Sequence, residues 1–168
     1  FLGTAHTLAN FETAFYRSEN LEKDPTDVYL WRFPIRRLEA EAIRDVINAA
    51  KGEVVVAMFT FTNRDLGEAL IRAHHRGVDV RVLVDDEQAD IRYSQASTLV
   101  ERGVNLIRVD LGSTGNGQDV RYHNKFAVID REIVISGSFN WTQQADDENF
   151  ENLLILKSPK LAKLYLDK

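Results

Sequence analysis

The sequence predicts an α/β fold, from short Val/Ile-rich runs, amphipathic stretches between them, and glycines where those stretches end. Leu8, Phe11 and Phe15 fall at helical spacing, which predicts an amphipathic helix over residues 4–17 that docks on the domain or on a partner. Glu19 to Asp27 is polar, contains Pro25 and reads as a loop. Val28-Tyr29-Leu30-Trp31 is the first expected strand. A helix follows Pro34, from Arg36 to Ala50, with Leu38, Ala42, Ile43, Val46 and Ile47 on one side. The second expected strand runs from Glu53 to about Phe61.

Asp65 to His75 and Tyr93 to Arg102 are the next helices, closed by Gly77 and Gly103 where a left-handed cap suits glycine. Strands are expected at Val78–Val84 and Val104–Val109. Phe126-Ala127-Val128-Ile129 and Ile133-Val134-Ile135 flank a tight turn at Asp130-Arg131-Glu132. Leu153–Leu156 returns as a strand, and a short helix follows Pro159.

The hairpin carries the chemistry. Side chains two apart on a strand share a face, so His123 and Lys125 project together, as do Ser138 and Asn140. The turn brings the second pair back beside the first. A charged lysine next to an apolar run is costly unless it meets an anion. A phosphodiester repels nucleophiles through its own charge, so the cation and the neutral donors supply what that substrate requires. Imidazole attack on phosphorus would give a phosphohistidine and divide one difficult displacement into two easier ones. The leaving alkoxide needs a proton from a second group near neutral pKa, yet the sequence holds no second His-x-Lys.

The pattern His-x-Lys-(x)4-Asp-(x)6-Gly-Ser-x-Asn, met by His123, Lys125, Asp130, Gly137, Ser138 and Asn140, resembles the phospholipase D superfamily. The likeness runs over roughly residues 28 to 167 and is nearest to the small Nuc-type bacterial endonucleases, which carry one motif per chain. It implies a phospholipase D-like α/β sandwich, a mixed central sheet flanked by helices, with one half-site per chain. It divides the chain into an N-terminal helix and loop, residues 1–27, and a catalytic domain, residues 28–168.

The resemblance further implies a homodimer in which two copies of His123 meet, one attacking and one protonating the leaving group. Lys125, Ser138 and Asn140 would hold the phosphate, Glu151 would hydrogen-bond His123, Asp130 and Gly137 would be structural, and no metal or other cofactor would be needed. The implied activity is endonucleolytic cleavage of DNA or RNA, with a lipid phosphodiesterase or transphosphatidylase as the alternative. Trp141, directly after Asn140, is assigned to substrate binding as a surface on which a base could stack, against a plain core role. Animal relatives that process small RNA or act at mitochondrial membranes carry a zinc-binding insert or a membrane anchor. This chain has no Cys and no apolar span of membrane length, so those roles are not expected.

Net charge is -5 with a pI near 5.4, the wrong sign for nucleic-acid binding through bulk electrostatics. Much of the acid is local, at Asp85-Asp86-Glu87 with Asp90 and at Asp146-Asp147-Glu148 with Glu151. Arg64, Arg72, Arg76, Arg81, Arg92, Arg108 and Arg121 spread through the expected catalytic layer, so a basic cleft on an acidic protein is the expectation. Asp85-Asp86-Glu87 reads as a solvated, helix-initiating loop before a cation site, and His74-His75 as a helix-end pair favoured by the dipole. Asp110 to Tyr122, with Gly112, Gly115 and Gly117, reads as a mobile rim of the site; it lacks the Gly-Lys-Ser/Thr ending of a nucleotide loop. The start at Phe1 reads as a processed or trimmed end, compatible with export after signal removal. No internal repeat is present, so symmetry must come from association.

Overall fold

The computed structural model describes residues 12–17, 27–32, 38–149 and 151–167. Their strands are β1 (Glu12–Arg17), β2 (Asp27–Arg32), β3 (Glu53–Met58), β4 (Asp79–Asp85), β5 (Asn105–Val109), β6 (Lys125–Ile129), β7 (Ile133–Gly137) and β8 (Asn152–Lys157). The helices are α1 (Leu38–Ala49), α2 (Arg64–His75), α3 (Asp86–Ala89), α4 (Ala96–Glu101), α5 (Gln143–Asp147) and α6 (Pro159–Leu166). The strands form one sheet in the order β1-β2-β8-β7-β6-β3-β4-β5. β3, β4 and β5 run parallel, joined through helices, whereas β3–β6, β6–β7, β7–β8, β8–β2 and β2–β1 pair antiparallel, so the sheet is mixed as expected.

Strand alternation divides the core between the faces. Ala127, Ile129 and Ile135 join Val54, Val56 and Met58 beneath Ile43, Ile47, Leu66, Leu70 and Leu99 of α1, α2 and α4. Val128 and Val134 point the other way, to Ala162, Leu161 and Tyr165 of α6. β3 is buried along its whole length because both its faces are covered.

Two segments depart from the periodicity reading. Residues 12–17 are a strand, not the end of a helix, and pair antiparallel with β2 from Glu12↔Arg32 to Arg17↔Asp27. β2 otherwise ends the sheet with unpaired backbone groups, and Thr-Ala-Phe-Tyr suits the demand of that open edge. The preceding part of the expected helix, residues 4–11, lies outside the described residues. α4 begins three residues later than expected, because Tyr93 adopts φ +69° and the Gln95 N–H donates to the Phe61 carbonyl at 2.9 Å.

The β6–β7 turn fixes the register of the hairpin. Glu132 N–H donates to the Ile129 carbonyl at 3.0 Å, and Asp130 and Arg131 both have positive φ, +53° and +57°, the conformation that matches the twist of two-residue hairpins. The Asp130 carboxylate turns back onto the α1–β3 connection and accepts from the N–H groups of Lys51, Gly52 and Glu53 at 2.7–3.2 Å. Burial alone would raise its pKa, but those backbone donors and the nearby Lys51 charge outweigh burial and lower it. Asp130 thus ties the hairpin to β3 at the end remote from His123.

Candidate active site

In the hairpin, Phe126 pairs with Ser136 and Ile129 with Ile133, which sets Ser138 and Asn140 just beyond β7 beside Lys125 at the start of β6. His123 lies two residues before that strand. His123, Lys125, Ser138 and Asn140 line one open cleft of about 590 Å³, with Ser136 and Tyr165 on its wall. The four residues singled out from the sequence therefore converge.

Lys125 Nζ lies 3.1 Å from Nε2 and 3.3 Å from Nδ1 of His123. The His123 ring packs on Phe59 with centroids 4.5 Å apart, and the ammonium is 5.3 Å from the same ring. Phe59 reaches His123 because its N–H leaves the β3 ladder and donates to the Asn124 carbonyl at 2.7 Å. Partial burial pulls the Lys125 pKa below the usual lysine value, opposed by the Glu151 carboxylate. A partly desolvated ammonium has more to gain from an incoming anion than an exposed one.

Gly137 supplies the corner. Its φ of +156° and its close approach to β8 exclude a side chain, since an added Cβ would overlap the Asn152 carbonyl oxygen. That approach lets Ser138 N–H donate to the side-chain Oδ1 of Asn152 at 2.8 Å, while Ser138 Oγ accepts from the Asn152 N–H at 3.0 Å and donates to Glu151. The other Glu151 oxygen accepts from Asn149 Nδ2 at 3.0 Å. The bond from Glu151 to His123 implied by the resemblance is not formed within the chain; Glu151 orients Ser138 instead. The Asn140 side-chain oxygen is buried and has no hydrogen-bond partner among the described residues.

Trp141 is not a stacking surface. It is 2% exposed and meets Phe61 edge to face at 5.2 Å, which leaves no face for a base. Its carbonyl accepts from the N–H groups of Thr62 and Asn63, both at 2.8 Å, and Asn63 caps α2 through Leu66 N–H at 3.1 Å. A large aromatic next to the site is thus part of its scaffold. The expected basic cleft is also corrected at two arginines. Arg108 pairs with Asp86 at 2.7 Å and Asp90 at 2.5 Å, and Arg121 pairs with Glu87 and Asp119. These cations neutralise the acidic run after β4 and so are drawn away from an incoming anion.

Periodicity missed three contributors. Phe59 reads as one more strand residue, Tyr165 as one more apolar position of a terminal helix, and the end of α5 only as a local run of acid. Thr142 carried the signal for α5, since its hydroxyl caps the helix by accepting from Ala145 N–H at 3.0 Å. The polar α5 also buries Asp146, whose carboxylate accepts from Ala40 N–H at 3.3 Å.

Glu39 sits nearby at 3% exposure, with its pKa pushed up to about 7 by burial, against its own backbone N–H, and further by the charges of Asp146 and Glu151. The folded chain holds this proton while the unfolded chain loses it from about pH 4.5, so stability falls as pH rises from there to 7. Glu39→Gln is expected to stabilise the fold by on the order of 2 kcal/mol at pH 8 and to change little at pH 4. Urea melts at the two pH values measure this, and equal effects at both would remove Glu39 as the cause.

The family model described as "Cardiolipin synthase, PLD-like domain" matches residues 43–168, most of the chain. The chain belongs to the PLD-like domain family. Among curated proteins, the PLD-like domain is 37% identical over 120 residues to a mitochondrial cardiolipin hydrolase of Mus musculus, covering 71% of this chain and 51% of that protein. It is 33% identical over 124 residues to a phospholipase D of Rickettsia felis, covering 74% and 58%. The chain thus spans about half the length of the curated relatives it matches. NucT from Helicobacter pylori shares the fold at TM-score 0.78 and 24% identity, over 84% of this chain and 92% of NucT. Nuc from Salmonella typhimurium, a phospholipase D family member, superposes at TM-score 0.72 with 28% identity, over 84% and 90%.

Mitochondrial cardiolipin hydrolases are thus among the proteins this chain resembles, a class that lack of Cys and of an apolar span had set aside. Among the described residues no helix is long and apolar enough to cross a membrane, and no group of three or more His, Cys, Asp or Glu could hold a metal ion.

Proposed function

We propose that the PLD-like domain is one half of a homodimeric endonuclease that cleaves phosphodiesters through a covalent phosphohistidine on His123, without a metal. The convergence of His123, Lys125, Ser138 and Asn140 in one open, polar cleft carries this reading. An imidazole nitrogen of His123 attacks phosphorus, the bond to the leaving oxygen breaks, and the imidazolium of a second copy's His123 gives that oxygen its proton. Water then attacks phosphorus and gives a proton to the second imidazole while the phosphorus–nitrogen bond breaks, which releases a phosphomonoester and restores His123.

Lys125 neutralises the phosphate, and Ser138, held by Glu151 and Asn152, adds a neutral contact. The Asn140 amide lines the same cleft with its oxygen buried, which leaves Nδ2 as a second neutral donor to an anion. Charge neutralisation by lysine and amides is the reason the scheme calls for no metal.

A lipid phosphodiesterase is the second reading, favoured by the 37% identity to a mitochondrial cardiolipin hydrolase. Single-stranded DNA, duplex DNA, RNA and vesicles of cardiolipin or phosphatidylcholine, each offered with excess chelator, separate the readings. Cleaved nucleic acid is the expected result. Lipid cleavage alone would transfer the site to the second reading, loss of activity on chelation would end the metal-free scheme, and intact substrates throughout would end both.

A further inference from the structure

We infer that Asp85 is a positioning residue that sets the backbone carrying His123, an assignment that rests on the His123 reading above. Asp85 ends β4 and is 3% exposed. One carboxylate oxygen accepts from Gln88 N–H at 3.3 Å and caps α3; the other accepts from Tyr122 N–H at 2.9 Å, one residue before His123. A buried carboxylate that spends both oxygens on backbone donors from distant segments fixes those segments relative to each other.

The next links extend the same frame. The Asn124 carbonyl, one residue after His123, is held by Phe59 N–H at 2.7 Å. His123 N–H donates to the Arg121 carbonyl at 2.9 Å, closing a tight bend at the histidine itself. His123 lies outside the β6 ladder, so sheet pairing does not place it. Asp85 on one side and Phe59 on the other do. The acidic run after β4 therefore has two parts: Asp86, Glu87 and Asp90 pair with Arg108 and Arg121, whereas Asp85 reaches the site.

Asp85→Asn tests this while sparing the fold. Asparagine is as good an N-cap as aspartate, so its oxygen keeps Gln88 and its amide group then opposes Tyr122 N–H, donor against donor. Hydrogen exchange of the folded protein is expected to show the Tyr122 amide protected in the wild type and fast in Asp85→Asn, with the Gln88 amide alike in both. With bis(p-nitrophenyl) phosphate, whose leaving group needs no acid, kcat is expected to fall about 100-fold with KM within threefold, the scale of a misplaced reacting group. Asp86→Asn and Glu87→Gln, which loosen the arginine pairs but leave Tyr122 held, are expected to stay within threefold in both constants.

Equal Tyr122 exchange in wild type and Asp85→Asn would overturn the assignment, as would equal kcat losses in all three variants. A wild-type protein that cleaves no phosphodiester would sink the catalytic reading, while the exchange result would still report whether Asp85 holds the segment.

Discussion

Replacing His123 with alanine is expected to abolish turnover, by on the order of 10⁴-fold or more, because in a symmetric pair it removes the nucleophile and the acid together. The fold should survive. His123 is exposed, lies outside the sheet ladder, and holds its place through backbone bonds that alanine can also make. Thermal melts should therefore coincide while the rate on a nucleic-acid substrate disappears. Brief exposure to substrate labelled at the scissile phosphorus, followed by denaturation in alkali, should leave acid-labile label on the wild-type chain and none on His123→Ala. Residual turnover within tenfold of wild type would assign the attack to another group.

Lys125→Ala is the second large effect, expected to cost roughly 10²–10³-fold in kcat, or about 3–4 kcal/mol of transition-state stabilisation. Its ammonium is the one cation placed in the cleft by the described residues, 3.1 Å from the His123 ring. The developing charge on phosphorus oxygens is where a preorganised, partly desolvated cation counts most. Lys125→Arg should recover only part of the loss, because the planar guanidinium cannot occupy the compact position between His123 and Phe59. Steady-state constants on one short oligonucleotide measure both variants. A loss confined to KM would mean that Lys125 binds ground state and transition state alike.

The site was legible to the extent that local rules govern it. Strand alternation pairs His123 with Lys125 and Ser138 with Asn140, and a two-residue turn returns one pair to the other, so the convergence follows from short-range geometry. The sheet core was legible for the same reason: continuous Val/Ile runs have few fates other than a strand covered on both faces. Failures occurred where a distant partner decides. Leu8, Phe11 and Phe15 fall at helical spacing, but the edge of β2 takes residues 12–17 as a strand. Trp141 follows the motif and so suggested a ligand surface, yet Phe61, brought close only by the fold, claims it for the core.

Phe59, Asp85 and Tyr165 reach the site from three other elements, and nothing in their own neighbourhoods announces it. Asp85 is the clearest case. In sequence it is the first of three acids after a strand; in the fold, one oxygen caps α3 and the other holds Tyr122. Arg108 and Arg121 show the converse, since cations counted for the cleft are spent on neighbouring carboxylates.

Mixed assemblies test the shared site most directly. Wild-type and His123→Ala chains, co-refolded at varied ratios with total protein constant, give paired species in which a mixed pair holds a single His123. Because attack and leaving-group protonation each require one of these imidazoles, activity is expected to fall as the square of the wild-type fraction. Activity that falls in direct proportion to the wild-type fraction would show that each chain acts alone and would contradict the two-histidine site.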